Sequence, residues 1–167
     1  MESVGTVVTC SVAGSLFAVE VKPVREIMSS RPAARLPNAP AHLLGLIDVR
    51  GASVALVDLR RILGEPWRDD DEDTRIILLT IDGGRRSHLV ALRVDRVIEV
   101  TELDGGGRIA PLDEAEMLDW DPRLVCGIGR RDDAIVTLLE VGAIFDPAVM
   151  EAARRRSAPA ANLPCAS

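Results

Sequence analysis

Aromatic residues, lysine and long apolar runs are all scarce in this chain of 167 residues. Aromatic residues make up only 2% of it, tyrosine is absent, and Lys22 is the only lysine. We therefore expect a core built from valine, leucine, isoleucine and alanine. The longest apolar stretches, such as Ile76 to Ile81, are as long as a strand and far too short for a membrane span, which predicts no direct membrane insertion.

A secretory signal and a cysteine pattern are also lacking. Neither a basic segment nor an apolar one precedes the first strand-like run, which predicts a cytoplasmic location. Cys10, Cys126 and Cys165 are odd in number and widely spaced. This arrangement is typical of reduced thiols and not of a disulfide framework or a CxxC metal site.

The charge is acidic and unevenly distributed. The formal net charge is −6, and residues 1–66 carry seven basic and six acidic groups, which leaves thirteen basic and twenty acidic groups for the remainder. An acidic second half repels phosphate backbones, and no arginine cluster alternates with aromatic residues that could stack on bases. The sequence therefore predicts no nucleic-acid partner.

The sequence contains only incomplete metal-binding patterns. His42 and His88 are the only histidines, and neither has a second ligand at metal-binding spacing. The acidic run that begins at Asp69 could open a calcium loop, but Thr74 stands where the loop needs glycine and Thr80 where it needs glutamate. We predict no metal site.

Catalytic and cofactor motifs are incomplete in the same way. Ser53 lies in a strand-like run outside a G-x-S-x-G motif. The run Gly105 to Gly107 lacks the lysine and the following helix of a phosphate-binding loop, and Gly127-Ile128-Gly129 lacks the third glycine of a dinucleotide fingerprint. We predict no catalytic residue and no cofactor, and expect that the chain is not an enzyme.

The central feature of the sequence is the stretch Leu43 to Gly64. It consists of two apolar runs of strand length joined by a tight turn at Arg50 and Gly51, followed by a short helical turn, which predicts a β-hairpin. The alternation of side chains along a strand places Asp48 and Arg50 on the face opposite Ile47. That face is expected to be exposed to water.

The hairpin pattern occurs a second time in the chain. The stretch Cys126 to Asp146 repeats it at a constant offset, which places Gly45 on Gly127. A second match, at a slightly shorter offset, relates Phe17–Ile27 to Val90–Val100. Two ordered matches at nearly constant spacing indicate a duplicated β unit.

The chain is accordingly divided into two related β subdomains. We expect the hairpins Leu44 to Asp58 and Val125 to Glu140 to superpose. The predicted boundaries are residues 4–66 for the first subdomain, 67–74 for an acidic linker, 75–146 for the second subdomain, 147–157 for a C-terminal helix and 158–167 for a disordered tail.

Three local predictions complete the picture. Pro23 and the apolar residues after it predict a short helix over residues 23–28. Residues 104–120 predict a mobile loop. Asp146 and Pro147 have the residue types of an N-cap and a first helical position, which predicts that the C-terminal helix begins there.

The stretch Leu36 to Gly64, LPNAPAHLLGLIDVRGASVALVDLRRILG, resembles the signature segment of the CheW family of bacterial chemotaxis coupling proteins. The resemblance extends from about Val4 to Phe145. It implies a mostly β fold of two small SH3-like β-barrels with five strands each and short helices. It also implies a non-catalytic adaptor that joins the cytoplasmic tips of methyl-accepting chemoreceptors to the regulatory domain of a CheA-type histidine kinase.

Two other functions remain open at this point. One is a small-ligand-binding β-barrel sensor, and the other is an enzyme with a site between the subdomains. Stabilisation by a metabolite in a thermal-shift screen would favour these, whereas co-elution with a histidine kinase would favour the adaptor.

The resemblance also implies a partner-binding surface. We expect Glu26 and Arg50 to approach each other, with Asp48 as the alternative partner of Arg50, and Val24 to provide an adjacent apolar contact. Gly45→Asp is predicted to lose kinase affinity while keeping its fold; the alternative is that this glycine serves only folding. The predicted partner-binding residues are Val24, Glu26, Gly45, Asp48, Arg50 and Gly51.

Overall fold

The structure is a computed structural model that describes residues 2–82, 86–112, 121–149 and 151. The fold is mostly β, as predicted, and the described residues also include three short helical turns, one 3₁₀ turn at Pro122–Leu124 and helical residues at 147–149 and 151. The strands are β1 (Glu2–Ser3), β2 (Val7–Val12), β3 (Ser15–Glu20), β4 (Val24–Ser29), β5 (Leu43–Val49), β6 (Ala52–Asp58), β7 (Arg75–Asp82), β8 (Ser87–Val94), β9 (Arg96–Thr101), β10 (Arg108–Ile109), β11 (Val125–Arg131) and β12 (Ala134–Leu139). The helical turns are α1 (Leu59–Ile62), α2 (Asp104–Gly107) and α3 (Val141–Ile144).

The strands form two five-stranded sheets, in agreement with the two five-stranded SH3-like barrels that the resemblance implies. The central barrel has the strand order β4-β7-β8-β6-β5, and the terminal barrel has the order β11-β12-β3-β2-β9. Neighbouring strands are antiparallel except for one parallel pair in each barrel, β6 with β8 and β12 with β3. The short strands β1 and β10 pair with each other.

The two barrels share a hydrogen-bonding pattern that follows the sequence repeat. The β5–β6 pairing shifts register before Gly45, and the β11–β12 pairing shifts before Gly127, the matching glycine of the repeat. The next residue of each strand bridges an alanine outside the sheet, Ala34 in the central barrel and Ala110 in the terminal one. The predicted duplication therefore extends to irregularities of the backbone.

The first hairpin of each repeat, however, lies in the barrel of the other repeat. The hairpin β2–β3 pairs with β9 and β12, whereas β7–β8 pairs with β4 and β6. Each sheet thus contains strands from both predicted subdomains, and the predicted boundary at residues 67–74 does not separate the sheets. In each barrel the parallel pair joins a strand of the exchanged hairpin to a strand of the other repeat, β8 to β6 and β3 to β12.

The exchanged hairpins place one core between the barrels. Phe17 from β3 belongs to the same buried cluster as Leu79 from β7, Leu59 from α1 and Ile144 from α3. Phe17 is the one aromatic residue among the fully buried core residues that the structure describes, so aliphatic side chains fill this core as the composition predicts. Separating the barrels would expose this core.

One predicted helix is wrong and another is confirmed at its start. Residues 24–29 form strand β4 instead of a helix, with a bulge between Val24 and Glu26. Residues 147–149 and 151 are helical, and the Asp146 Oδ1 atom accepts a hydrogen bond of 2.8 Å from the Ala148 backbone N–H, as expected of an N-cap. The remaining predicted helix to residue 157 and the predicted tail at 158–167 lie outside the described residues.

The predicted loop 104–120 is ordered over its first part. Asp104–Gly107 forms the helical turn α2, in which Gly105 and Gly106 have positive φ angles, and β10 follows at once. The Asp104 Oδ2 atom accepts a hydrogen bond of 3.1 Å from the Asp133 N–H in the β11–β12 turn. Residues 113–120 of the predicted loop lie outside the described residues.

The thiol of Cys10 is expected to be unreactive in the native protein. Cys10 is fully buried, and burial, with a further contribution from the charge of Asp95, raises its pKa to about 12. In a Cys126→Ser/Cys165→Ser variant, Cys10 should therefore not react with Ellman's reagent near pH 8 until denaturant is added, because the thiolate is the reactive form. Rapid labelling without denaturant would contradict the core position of Cys10.

Candidate partner-binding surface

The turn between β5 and β6 presents two of the predicted residues to solvent. Arg50 and Gly51 both have positive φ angles, 51° and 86°, and form a two-residue hairpin turn. The Asp48 Oδ1 atom accepts a hydrogen bond of 2.9 Å from the Gly51 N–H and so closes the turn. Asp48 and Arg50 are exposed while Val49 between them is buried, as the alternation predicts.

Arg50 forms an ion pair with Glu26 of β4. The distance from Arg50 Nη2 to Glu26 Oε1 is 2.7 Å, and the side chains are 75% and 34% exposed. The expected approach of these two residues is confirmed, and Arg50 pairs with Glu26 and not with Asp48. Glu26 reaches the turn from a strand and not from the predicted helix.

The ion pair lies where the two edge strands of the central barrel face each other. β4 and β5 are the outer strands of this sheet, so no ladder of backbone hydrogen bonds joins them. Side chains make the connection instead: besides the Glu26 and Arg50 pair, Arg31 Nη1 donates a hydrogen bond of 3.0 Å to the Asp48 carbonyl. The turn residues are therefore held in defined positions at the surface.

Gly45 is held under the backbone of residue 34. Its φ angle is +138°, and a Cβ atom added there would lie 2.1 Å from the Ala34 carbonyl oxygen. Ala34 cannot retreat freely, because its N–H and C=O both hydrogen-bond to Leu46, at 2.8 and 2.9 Å. This geometry contradicts the expectation that Gly45→Asp keeps its fold, and it supports the alternative that Gly45 serves folding.

Val24 is only partly available to a partner. It is half-buried and packs against the core between the barrels. The structure thus brings Glu26, Asp48, Arg50 and Gly51 together at one end of the central barrel. Val24 lies on the same strand as Glu26 but faces the core.

The terminal barrel has an ion pair that includes the residue matching Glu26. Glu99, which matches Glu26 in the second of the two sequence matches, accepts a hydrogen bond of 3.3 Å from Arg131 Nε at the end of β11. Both side chains are about one third exposed, at 38% and 32%. Although Arg131 matches Val49 and not Arg50 in the repeat, this pair provides an internal comparison for the Glu26 and Arg50 pair.

A buried polar cluster beside α1 was not predicted. Arg93 is 3% exposed and donates to Asp70 at 2.6 Å, and its Nη1 lies 3.5 Å from Asp58 Oδ1. The ring of Trp67 lies over the Arg93 guanidinium, 4.3 Å from centroid to Cζ. The sequence signal was Arg93 itself, a charge inside the apolar run Val90 to Val94.

This cluster corrects the prediction of a free acidic linker. Asp70 pairs with Arg93, and Asp71 Oδ1 accepts hydrogen bonds from the backbone N–H groups of Asp73 and Thr74. Residues 67–74 are therefore fastened to the central barrel, because a buried guanidinium requires carboxylate partners. These backbone hydrogen bonds also lower the pKa of Asp71.

Asp58 is the most deeply buried acid of the cluster. It is fully buried, and its Oδ1 atom caps α1 by accepting a hydrogen bond of 3.2 Å from the Arg60 N–H. Burial raises the pKa of Asp58, although the Arg93 charge acts in the opposite direction. Its role is structural: it connects the end of β6, α1 and β8.

The other two predicted functions, a ligand sensor and an enzyme, would need a metal centre or a cavity. No group of three or more potential metal ligands occurs among the described residues. A cleft of about 300 Å³ does lie between the barrels, and its lining includes Glu20, Pro23, Asp82, Cys126 and Glu140.

Within the part of the chain that the structure covers, no helix is long and apolar enough to cross a membrane.

Comparison with known proteins identifies the family. The family model described as the CheW-like domain matches residues 6–148. The chain belongs to the CheW-like family. It is 31% identical over 137 residues to the "Probable chemotaxis protein CheW" of Rhizobium etli, a match that covers 82% of this chain and 84% of the relative.

Other relatives agree with this assignment. The chemotaxis protein CheW of Rhizobium meliloti is 29% identical over 137 residues, again 82% of this chain and 84% of the relative. The crystal structure of the scaffolding protein TtCheW from Thermoanaerobacter tengcongensis matches with a TM-score of 0.74 and 27% identity, over 87% of this chain and 94% of that one. These matches confirm the predicted resemblance, the CheW fold and a chemotaxis coupling adaptor, and they do not favour a ligand sensor or an enzyme.

Proposed function

We propose that this CheW-like chain joins the cytoplasmic tips of methyl-accepting chemoreceptors to the regulatory domain of a CheA-type histidine kinase, and that it does so in the cytoplasm without catalysis. The scaffolding relative and the chemotaxis relatives support this role. The observation that carries the proposal to particular residues is the exposed ion pair between Glu26 and Arg50.

This ion pair is better suited to recognition than to stability. A solvent-exposed pair contributes only about 0.2–1 kcal/mol to folding. It does, however, fix the direction of the Arg50 guanidinium, which is 75% exposed and offers further donors to a partner. We infer that Glu26 orients Arg50 and that the surface formed by Glu26, Asp48, Arg50 and Gly51 contacts the kinase or the receptor.

Arg50→Ala and Glu26→Ala are each expected to weaken binding to the kinase regulatory domain or to a receptor tip by well over tenfold. The double variant should lose little more than either single variant, because the two residues act as one unit. The melting temperature should fall by at most about 4 °C, which corresponds to roughly 1 kcal/mol in a protein of this size. Titration calorimetry with each purified partner measures the affinities.

The control is the pair of Glu99 and Arg131 in the terminal barrel. Glu99→Ala and Arg131→Ala remove an ion pair whose carboxylate is about as exposed as that of Glu26 but whose arginine is less exposed than Arg50, at 32% against 75%, and they should change either affinity by less than about twofold. Equal losses from both pairs would mean that only overall charge matters. Additive or negligible effects of Glu26→Ala and Arg50→Ala would return both residues to ordinary surface charge.

A further inference from the structure

An open groove of about 830 Å³ lies against the central barrel, and neither Glu26 nor Arg50 lines it. One wall is formed by the segment of residues 30–41, which follows β4 and turns at residues 37 and 38. The other wall comes from Trp67 and Asp70, next to the buried cluster. Leu44 and Leu56 of the β5–β6 hairpin also line it.

Positive charge prevails in this groove. Arg31, Arg35 and Arg61 line it, and none of them forms an ion pair with a carboxylate of the described residues. Asp70, the acid of the lining, is already paired with Arg93 at 2.6 Å. The Arg61 charge also acts on the buried Asp58, whose pKa it lowers. Because the whole chain has a net charge of −6, three arginines outside the ion pairs of the described residues make this groove a local reversal of its charge.

Apolar side chains are exposed beside these arginines. Leu36 and Trp67 are 39% and 43% exposed, and both line the groove. The indole is held in place, since one face covers Arg93 and its Nε1 donates a hydrogen bond of 2.8 Å to Asp69 Oδ1. A fixed aromatic wall loses little conformational entropy when a ligand packs against it.

We propose that this groove binds an acidic peptide segment that carries an aliphatic anchor. Arg35 and Arg61 would receive the carboxylates, since guanidinium groups pair with carboxylates bidentately, and the aliphatic side chain would pack between Leu36 and Trp67. Small molecules usually bind in cavities that enclose most of their surface, whereas an open groove of this kind suits a short segment of a partner protein. The proposal does not depend on the role of Glu26 and Arg50.

The test is fluorescence polarisation with a labelled synthetic peptide of about twelve residues, rich in glutamate and carrying two leucines. The Arg35→Ala/Arg61→Ala variant should bind it at least tenfold more weakly than the native chain. Arg96→Ala, which removes an exposed arginine of β9 outside the groove, should change the affinity by less than twofold. A double variant that binds as tightly as the native chain would overturn the proposal.

Changes in the peptide test the apolar half. Replacing both leucines by glycine, or all glutamates by lysine, should each weaken binding at least tenfold. Peptide binding should also shift the fluorescence of Trp67, measured in a Trp120→Phe background. Tighter binding of the lysine peptide, or displacement of the acidic peptide by a dinucleotide at lower concentration, would overturn the proposal.

A folding defect in the double variant would not leave the question open. Arg35 is exposed and has no hydrogen bond in the described part of the chain, so Arg35→Glu should preserve the fold. This variant should bind the acidic peptide more weakly, and the lysine peptide more tightly, than the native chain does. The absence of both effects in a folded Arg35→Glu variant would overturn the proposal.

Discussion

A Gly45→Asp variant is expected to lose about 2–6 kcal/mol of its free energy of unfolding. About 1–3 kcal/mol comes from forcing a residue with a Cβ atom to a φ angle of +138°, and a similar amount comes from overpacking against the Ala34 carbonyl, 2.1 Å from that atom. Because Ala34 is hydrogen-bonded to both backbone groups of Leu46, relief requires breaking that bridge. Chemical denaturation followed by circular dichroism measures the loss.

The comparison with other glycines makes this test specific. Gly14 also has a positive φ angle, +81°, but nothing lies within 4 Å of an added Cβ atom, so Gly14→Asn should cost about 1 kcal/mol or less. Gly127→Ala should destabilise as well, since its Cβ would lie 2.6 Å from the Ala110 carbonyl. If Gly45→Asp keeps native stability and loses only kinase binding, Gly45 is a contact residue and the folding role is wrong.

Arg93→Ala is expected to lower the free energy of unfolding by about 3–5 kcal/mol, because it leaves the Asp58 carboxylate buried without the Arg93 cation. Arg93 also donates to the Arg68 carbonyl at 2.6 Å and supports Trp67, so residues 67–74 should detach from the barrel. Arg68→Ala is the control: its side chain is 55% exposed, its pair with Asp71 contributes about 1 kcal/mol at most, and its second carboxylate, Asp95 at 3.7 Å, keeps Arg60 as a partner. Equal losses from both variants would contradict the central role of Arg93.

The pH dependence of the Arg93→Ala variant identifies the responsible group. Removing Arg93 raises the folded-state pKa of Asp58 further, since this cation lowers it in the native protein. When the pKa of a carboxyl is higher in the folded than in the unfolded state, the free energy of unfolding falls as the pH rises from about 4 through the folded-state pKa. The loss of unfolding free energy in Arg93→Ala, relative to the native chain, should therefore be larger at about pH 8 than at about pH 5. Adding Asp58→Asn, which keeps the cap of α1, should remove this difference.

The hairpins and the duplication could be predicted because they depend on local patterns. Apolar runs of strand length separated by glycine define β5–β6, and the constant offset of the repeat then located β11–β12. Strand β4 differs from the helix that the sequence predicts for a physical reason. Its bulge between Val24 and Glu26 breaks the two-residue alternation, so Val24 and Ile27 face the same core at a helix-like spacing of three.

The exchange of hairpins and the Arg93 cluster could not be predicted in the same way. Matching residues show that two segments are alike, but not which copy of a hairpin joins which sheet. The acidic run 69–73 reads as a solvated linker until its cation is known. Arg93 lies far from Asp70 in the sequence, and only the fold brings the two together.

The exchanged hairpin sets an order of events during synthesis. All five strands of the central barrel lie within residues 24–94, so they can pair as soon as that segment has left the ribosome. Leu16 of β3, in contrast, can pair with Val136 of β12 only after that later part of the chain has been synthesised. At about 5–20 residues per second, the stretch from Val94 to Leu139 takes roughly 2–9 s to be made. For those seconds the first hairpin of the nascent chain has an unpaired edge and an uncovered apolar face, which chaperones can bind and neighbouring chains can join.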